Sequence, residues 1–185
     1  MINLFPQVTK WHFSPQLREA DLTVRVQRED FDIGAETARL AAGNHGIGGL
    51  CAFVGLVRDM GGPGAMGEEI SAMTLEHYPG MTEKALEEIE AEAHARWPLE
   101  ATLMIHRFGP LEPGDQIVLV AVASRHREAA FEACHFLVDW LKTKAPFWKL
   151  EDTSSGGQWV DARDSDGAAA ARWQHARDKS TEATD

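Results

Sequence analysis

A cluster of lysines in the second half of the chain has the residue types of an anion-binding catalytic site. The stretch LKTKAPFWK, residues 141–149, places Lys142, Lys144 and Lys149 beside a phenylalanine and a tryptophan. A lysine held among apolar and cationic neighbours loses its proton more easily, which suits it to proton transfer as well as to anion binding. The alternative is a solvated helix end with snorkelling lysines, and we assign Lys144 to that surface role.

A second basic segment, SRHRE, follows a predicted strand and opens a predicted helix, with Ser124 as the expected N-cap. The start of a helix presents free backbone N–H groups and the positive end of the helix dipole, so it is a natural seat for an anion. His126 and Arg127 are unfavourable to that dipole, which points to a purpose such as phosphate binding. The alternative is a pair of exposed residues that cost roughly a few tenths of a kcal/mol, and the pattern leaves both open.

A third basic residue, Arg58, stands at the end of the apolar run GGLCAFVGLVRD. This run, residues 48–59, predicts a central strand buried on both faces. Four glycines and a proline follow within residues 60–69 and predict a loop. An arginine at the end of a strand beside such a loop can clamp a phosphate through a planar bidentate contact.

The charge distribution favours a small anion or an acidic peptide end as the ligand. The chain has a formal net charge of −11, yet the segment from Arg125 to Lys149 holds five basic and three acidic residues. That segment therefore carries +2 and the rest carries −13. A local basic island on an acidic body indicates a specific anion site, whereas binding to nucleic acid, which needs broad phosphate neutralisation, is not expected.

Several other classes of protein do not fit the sequence. No apolar run approaches the roughly 18 residues that span a bilayer, so no membrane association is expected. The start of the chain lacks a secretory signal pattern, and Cys51 and Cys134 stand far apart in apolar stretches, which favours free buried thiols and a cytoplasmic location. The eight histidines lack metal-ligand spacing, and neither cysteine has a second one nearby, so we expect no metal site and no redox C-x-x-C.

The elements that must position the basic segments alternate irregularly along the chain. We predict strands at 22–26, 48–59, 70–78, 101–109 and 116–124, helices at 34–43, 81–97 and 125–145, a turn at 110–115, an extended segment at 146–152 and a last turn and strand or coil from 154. The two long helices have buried stripes of apolar residues, Leu86, Ile89, Ala93 and Trp97 in one and Ala130, Cys134, Leu137 and Leu141 in the other. This order predicts an α+β fold with a mixed or antiparallel sheet.

Three segments together resemble one known family. FVGLVRD, the long stretch from MTLEHYPGMTEKAL through SRHRE to LKTKAPFWK, and GGQWVDAR are similar to the large, catalytic subunits of molybdopterin synthase. The resemblance covers about residues 22–164. It divides the chain into an N-terminal extension at 1–20, a molybdopterin synthase large-subunit-like domain at 21–164 and a C-terminal tail at 165–185, with a short helix expected around Trp173.

The resemblance implies an α/β-hammerhead fold and a sulfurtransferase. Two sulfurs are expected to enter cyclic pyranopterin monophosphate and form the dithiolene of molybdopterin. The sulfur is expected to arrive as a thiocarboxylate on the C-terminal Gly-Gly of a small ubiquitin-like subunit, with no cofactor and no metal. The resemblance further implies a homodimer of large subunits within a heterotetramer.

The family's functional residues map onto the three basic segments. The catalytic lysine matches Lys142, a second important lysine matches Lys149, and we predict a catalytic role for both. The substrate-binding positions implied by the resemblance are these two lysines together with Leu56, Val57, Arg58, His126, Arg127, Leu150, Glu151 and Arg163. Because Leu150 stands where a charged or polar residue often occurs in the family, we expect it to contribute through its backbone.

Two other functions remain open from the sequence. A non-catalytic scaffold could use the same basic pocket to dock the Gly-Gly tail of a ubiquitin-like partner. Such a scaffold would need the groove but not the phosphate anchors Arg58, His126 and Arg127. An enzyme of another type acting on a phosphate ester is the third possibility, and the lack of carboxylates with metal-site spacing argues against it.

Overall fold

The fold is described for residues 23–58, 70–153, 156–160 and 172–173 of a computed structural model, with the backbone alone at 70–71 and 151–160. The predicted N-terminal extension, the predicted loop at 60–69 and Arg163 lie outside the described residues. Within them the chain forms three helices and eight strands, as follows: β1 Val24–Gln27, α1 Ile33–Ala41, β2 Gly49–Leu56, β3 Ile70–His77, α2 Met81–Arg96, β4 Leu99–Arg107, β5 Gly109–Leu111, β6 Gln116–Ser124, α3 Arg127–Lys144, β7 Phe147–Thr153 and β8 Gly156–Val160.

The strands form two four-stranded sheets. Sheet A has the order β1-β4-β6-β2, in which β1 is parallel to β4 and the other pairs are antiparallel. Sheet B has the order β5-β3-β7-β8 and is antiparallel throughout. The predicted α+β class, with mixed and antiparallel sheets and two long helices, is confirmed.

The main core lies between sheet A and the two long helices. The predicted stripe of α2 is buried at Leu86, Ile89 and Ala93, while Trp97 is the half-buried C-cap of that helix. The predicted stripe of α3 is buried at all four of its positions. The opposite face of sheet A packs against Phe31 and Leu40, a residue of α1. Sheet A is therefore covered by helices on both faces.

The prediction that residues 48–59 form a central strand buried on both faces is wrong. Strand β2 lies at the edge of sheet A and pairs with β6 alone among the described strands. Leu50, Phe53 and Leu56 are more than a third exposed. An apolar composition indicates that side chains avoid water, but it does not distinguish pairing within a sheet from contact with another surface.

The start of α3 also differs from the prediction. The helix begins at Arg127 with His126 as its N-cap, which makes no side-chain capping hydrogen bond. Ser124 instead ends β6, where its hydroxyl donates to the carbonyl of Pro98 at 2.9 Å. The same hydroxyl oxygen accepts from the His126 amide at 3.4 Å, so Ser124 joins the residue before β4 to the residue before α3.

The predicted turn at 110–115 is shorter than expected. Residues 109–111 form β5, which pairs with β3, and the turn occupies only the residues that follow. It is closed by a hydrogen bond from the Asp115 amide to the Glu112 carbonyl at 2.9 Å, and Gly114 has a φ of +97°. A strand of three residues with the sequence Gly-Pro-Leu is too short to show the alternation that marks a strand.

Trp173 packs back on the long helices. Its ring makes edge contacts with Trp97 and Phe136, and its indole N–H donates to Asp139 Oδ2 at 2.8 Å. Residues 172–173 are helical, in agreement with the short helix expected around Trp173. Trp173 therefore contacts residues of both long helices or their ends.

Candidate functional site

Lys142 and Lys144 leave the last turn of α3 in different directions. The Nζ of Lys144 lies 3.8 Å from Glu92 Oε2 of α2 and 3.8 Å from the centroid of the Trp140 ring. Residues two apart on a helix are separated by about 200° around its axis, so Lys142 projects away from α2. Lys144 thus has the surface contacts expected of it, and Lys142 is exposed on a different side of the helix.

Lys149 extends from the inner face of sheet B. It lies opposite Leu75 in the antiparallel ladder between β3 and β7. Directly opposed residues in such a ladder point to the same face, and Leu75 is buried in one cluster with Val57 and Met73. The half-buried Lys149 therefore lies on the face of sheet B that packs against the end of β2.

The segment after β2 is held by its backbone. The Val57 amide donates to the Asp115 carbonyl at 2.8 Å, and the Val57 carbonyl accepts from the Gly114 amide at 2.9 Å. Leu56 before it is 56% exposed, whereas the side chain of Val57 is buried. Arg58 follows at an exposed position immediately after this fixed residue. A flexible cation is thereby placed on a rigid support.

The directions of the strands bring this arginine and Lys142 to the same end of sheet A. Strand β2 is antiparallel to β6 and reaches Gln116, at the start of β6, when it ends at Leu56. Helix α3 begins after β6 and runs back along it, so Leu141 in its last turn packs in one cluster with Val118. We call Arg58, Lys142 and Lys149 the basic end.

His126 and Arg127 lie at the other end of the same helix. The start of β2 is close to them, since the Gly48 amide donates to the Ser124 carbonyl at 3.0 Å and a Cβ on Gly49 would lie 3.4 Å from the Arg127 Cα. At 1.5 Å of rise per residue, about 24 Å of helix separates His126 from Lys142. Within one chain, His126 and Arg127 therefore do not lie at the basic end.

The two aromatic residues of LKTKAPFWK point to opposite faces of β7. Phe147 shares the face of Lys149, because side chains two apart on a strand lie on the same side. Trp148 pairs with Glu76 and is 47% exposed on the outer face, so it lies on the side of β7 opposite Lys149.

Two further predicted site residues also lie in β7. Leu150 pairs with Thr74 on the outer face and is half-buried, while the backbone of Glu151 pairs with Met73. The side chain of Glu151 is not described.

A pair of histidines beside the basic end was not predicted as part of a site. His106 is buried at the end of β4 and stacks on Phe147, and His77 lies opposite Phe147 in the ladder of β3 with β7. The Nδ1 of His77 is buried without a hydrogen-bond partner among the described residues, which costs roughly 1–3 kcal/mol. The sequence did contain a sign of this pair. His77 in β3 and His106 in β4 each stand in line with inward-facing apolar residues, where histidine is unusual.

The cysteines do not form a nucleophilic centre. Cys134 is a residue of α3 that is buried in the main core next to Cys51, and both are free thiols. Burial raises the pKa of the Cys134 thiol far above its usual range, which disfavours the thiolate. Among the described residues no group of three His, Cys, Asp or Glu side chains could hold a metal ion. In the same part of the chain, no helix is long and apolar enough to cross a bilayer.

The comparisons with known proteins agree on one family. The family model described as MoaE protein matches residues 26–144. A molybdopterin synthase catalytic subunit from Pseudomonas aeruginosa is 56% identical over 153 residues, which are 83% of this chain and 99% of the relative.

Comparison with solved structures indicates the same family. The molybdopterin biosynthesis MoaE protein from Burkholderia ambifaria is 54% identical, with a TM-score of 0.70 over 83% of this chain and 98% of that one. A complex of subunits 1 and 2 of molybdopterin-converting factor from Helicobacter pylori has a TM-score of 0.62 at 19% identity, over 76% of this chain and 91% of that one. At that identity the likeness concerns the fold alone. The fold expected from the sequence resemblance is thereby confirmed.

Proposed function

This chain belongs to the MoaE protein family and acts as a molybdopterin synthase catalytic subunit, a sulfurtransferase, and we propose that its basic end is the sulfur-transfer site. The substrate is cyclic pyranopterin monophosphate, and the sulfur donor is the C-terminal thiocarboxylate of a small ubiquitin-like subunit. Both partners in the reaction are anions, which matches the charge of the basic end.

The observation that carries this proposal is the convergence of three cations from three separate elements. Arg58 follows the edge strand β2, Lys142 lies in the last turn of α3 and Lys149 lies in β7 of the other sheet. In a chain with a net charge of −11, three cations at one end of the fold form a strong local anion site. Their backbones are held by two sheets and a helix, and cations held in place favour charge stabilisation in a transition state.

Lys142 has the central role in the proposed chemistry. It holds the thiocarboxylate while the sulfur attacks a carbon of the pterin side chain. A carbon–sulfur bond forms as a carbon–oxygen bond at that carbon breaks, the oxygen leaves as water, and the small subunit remains attached as a thioester. Water then adds to the thioester carbonyl, and Lys142 stabilises the oxyanion that develops there or transfers a proton. The acyl carbon–sulfur bond breaks, the sulfur stays on the pterin, and the small subunit leaves with a carboxylate. A second thiocarboxylate repeats the cycle.

Lys149 supports the charge of the transition state as the second catalytic lysine, and Arg58 positions the substrate in this scheme. Lys149 is half-buried above an apolar cluster, so its charge acts in a medium of lower dielectric constant than water. Arg58 offers a planar pair of donors suited to the phosphate. The backbone of Leu150 and the residues Leu56, Val57, Glu151 and Arg163 complete the substrate-binding set that we propose.

A second protein must supply the sulfur. The Pseudomonas relative is a catalytic subunit, and the Helicobacter relative forms a complex of two subunits. Both support a small partner for this chain. Burial raises the pKa of the Cys134 thiol and so disfavours its nucleophilic thiolate, which suits a sulfur donor that arrives from outside. We also propose a cytoplasmic location, because both cysteines remain free thiols.

Two copies of this chain form the complete site in our proposal. His126 and Arg127 are about 24 Å from Lys142 along α3, too far to hold the same small substrate within one chain. In a symmetric dimer the same patch serves both copies, so the His126 and Arg127 of one copy can reach the basic end of the other. The exposed apolar residues Leu50 and Phe53 on the edge strand and Phe131 on α3 support a second copy at this surface.

A single-turnover assay tests the sulfur-transfer proposal against the scaffold. The protein is mixed with cyclic pyranopterin monophosphate and a thiocarboxylated small subunit, and the dithiolene product is measured by mass. Lys142→Ala should lower the rate by orders of magnitude, whereas Lys144→Ala, two residues away on the same helix, should stay within about threefold of wild type. Tight binding of the small subunit without product from the wild type would favour the scaffold, and an active Lys142→Ala variant would remove Lys142 from its role.

A further inference from the structure

The described structure joins the two sheets by a stack of two rings. The imidazole of His106, at the end of β4 in sheet A, lies 3.7 Å from the ring of Phe147 in sheet B, centroid to centroid, with an interplanar angle of 18°. His106 is 6% exposed, so the stack is shielded from water. A nearly parallel contact at this distance fixes the ring separation closely.

The imidazole is locked on its other side as well. Its Nδ1–H donates to the carbonyl of Arg107 at 2.9 Å, which sets the rotation of the ring. Burial lowers the pKa of His106 to about 4, so the ring is neutral near pH 7 and keeps one donor and one acceptor nitrogen. A neutral ring with a fixed rotation is a rigid surface for Phe147.

Phe147 stands at the junction between the two lysine-bearing elements. Helix α3 ends at Lys144, and β7 begins at Phe147 after only two intervening residues. The Phe147 amide donates to the Ala145 carbonyl at 2.9 Å, which makes this connection tight. Any shift of the Phe147 ring is therefore transmitted to the start of β7 and to the end of α3.

Lys149 is the next residue of β7 on the same face as Phe147. In the ladder with β3, His77 is opposite Phe147 and Leu75 is opposite Lys149, so both pairs line one face of sheet B. The side chain of Lys149 is thus the next one along this face after the Phe147 ring, and His106 sets the position of that ring. Neither His106 nor Phe147 needs to touch the substrate to influence where the lysine lies.

We propose that His106 is a positioning residue for sulfur transfer, which, through its stack on Phe147, fixes the place of Lys149 and its separation from Lys142. This inference rests on the proposed function, because it takes both lysines as members of the site. A displacement of about 1 Å at a reacting centre can cost about 100-fold in rate. The expected effect is therefore on turnover, with the substrate KM nearly unchanged.

A small set of variants separates positioning from general stability. His106→Ala should lower kcat between about 10-fold and 100-fold and change KM by less than about threefold. His106→Phe keeps a flat ring on Phe147 and should recover kcat to within about threefold of wild type. Phe108→Leu is the matched control, since Phe108 lies against His77 rather than in the stack, and it should keep wild-type kcat within about threefold. Wild-type kcat in His106→Ala, or no recovery in His106→Phe, would overturn the proposal.

A double-mutant cycle shows whether His106 acts through Lys149. In a Lys149→Ala background, His106→Ala should reduce the residual single-turnover rate by less than about threefold, because the group that it positions is gone. An equal loss in both backgrounds would contradict positioning. Should His106→Ala fail to fold, Phe147→Leu breaks the stack from the other side, and the same pattern is expected of it.

The cycle also separates a failure of the His106 positioning role from a failure of the proposed function. Full activity of Lys149→Ala would remove Lys149 from the site and would thus reject that part of the proposed function. An impaired Lys149→Ala variant, combined with an independent loss in His106→Ala, would leave the function intact and reject the positioning role alone.

Discussion

His126 and Lys142 lie at opposite ends of α3, about 24 Å apart along its axis, although both belong to the predicted site. The two ends of this 18-residue helix also mark the two ends of sheet A, since β2 runs beside the helix from the Gly48–Gly49 contact to Arg58. A small substrate cannot contact both ends. A site that uses both residues must therefore draw them from two copies of the chain.

We expect two inactive variants to restore activity when they are mixed. In a dimer that combines a Lys142→Ala chain with an Arg127→Ala chain, one of the two sites has both native residues and the other has neither. Random exchange of subunits makes half of the dimers mixed, so about one quarter of wild-type turnover should return.

The control for this mixture is each variant alone, measured at the same total concentration after the same exchange step. A mixture no more active than its components would mean that each site takes Lys142 and Arg127 from a single chain. That outcome would contradict the shared site.

Gly48→Ala should disrupt the start of α3. A Cβ at position 48 would lie 2.2 Å from the carbonyl oxygen of Arg125, which is backbone and cannot rotate away. We expect a loss of more than about 2 kcal/mol in the free energy of unfolding, measured by urea denaturation, together with lower turnover.

The matched control for that loss is Gly43→Asn. Gly43 has a φ of +75° and open space around its Cα, and asparagine tolerates this conformation, so the cost should stay below about 1 kcal/mol. Equal stabilities of the two variants would show that the Gly48 contact with Arg125 relaxes easily.

Glu90→Gln should stabilise the protein at neutral pH. Glu90 is buried between α2 and β4, where it accepts a hydrogen bond from Thr102 Oγ1, which in turn accepts one from His94 Nε2 at 3.0 Å. Burial raises the pKa of Glu90 above 4.5, so the folded state binds more protons than the unfolded state just above that pH. Stability is therefore lost as the pH rises through this window.

Glutamine keeps the acceptor oxygen and has no charge to bury. The difference in unfolding free energy between variant and wild type should be near zero at pH 4 and should grow in favour of the variant toward pH 7. A variant less stable than wild type at pH 7 would indicate that the Glu90 charge is favourable in the fold.

His106 should make the protein less stable as the pH falls. Burial lowers its pKa to about 4 from 6.5, so the unfolded chain binds a proton that the folded chain does not. The contribution is fully present above pH 6.5 and is lost as the pH falls toward 4, with a total of about 3 kcal/mol. Urea denaturation of wild type and His106→Phe at several pH values isolates the effect, because phenylalanine does not titrate. Parallel curves for the two proteins would mean that the pKa of His106 is the same in the folded and unfolded states.

The bounds of helices and strands were predicted well where an apolar stripe repeated over many residues. Helices α2 and α3 differ from their predicted bounds by at most two residues, because a stripe repeated over four or five turns leaves little freedom in its placement. Short elements were harder, since the three residues of β5 have no repeat to detect. The edge position of β2 was missed because apolar residues mark burial and interfaces alike.

The chemistry of the site was present in the amino-acid sequence, and its arrangement was not. Residue types at fixed spacing in LKTKAPFWK, SRHRE and GLVRD were enough to indicate an anion site, because charge and hydrogen-bonding capacity belong to the side chains themselves. The family came from the resemblance of longer segments. Only the tertiary structure decided that Arg58, Lys142 and Lys149 share one end of the fold while His126 and Arg127 occupy the other. The same structure placed Phe147 inward and Trp148 outward, and set His106 against Phe147. Those relations depend on strand pairing, register and helix direction, which are set by contacts between residues far apart in the chain.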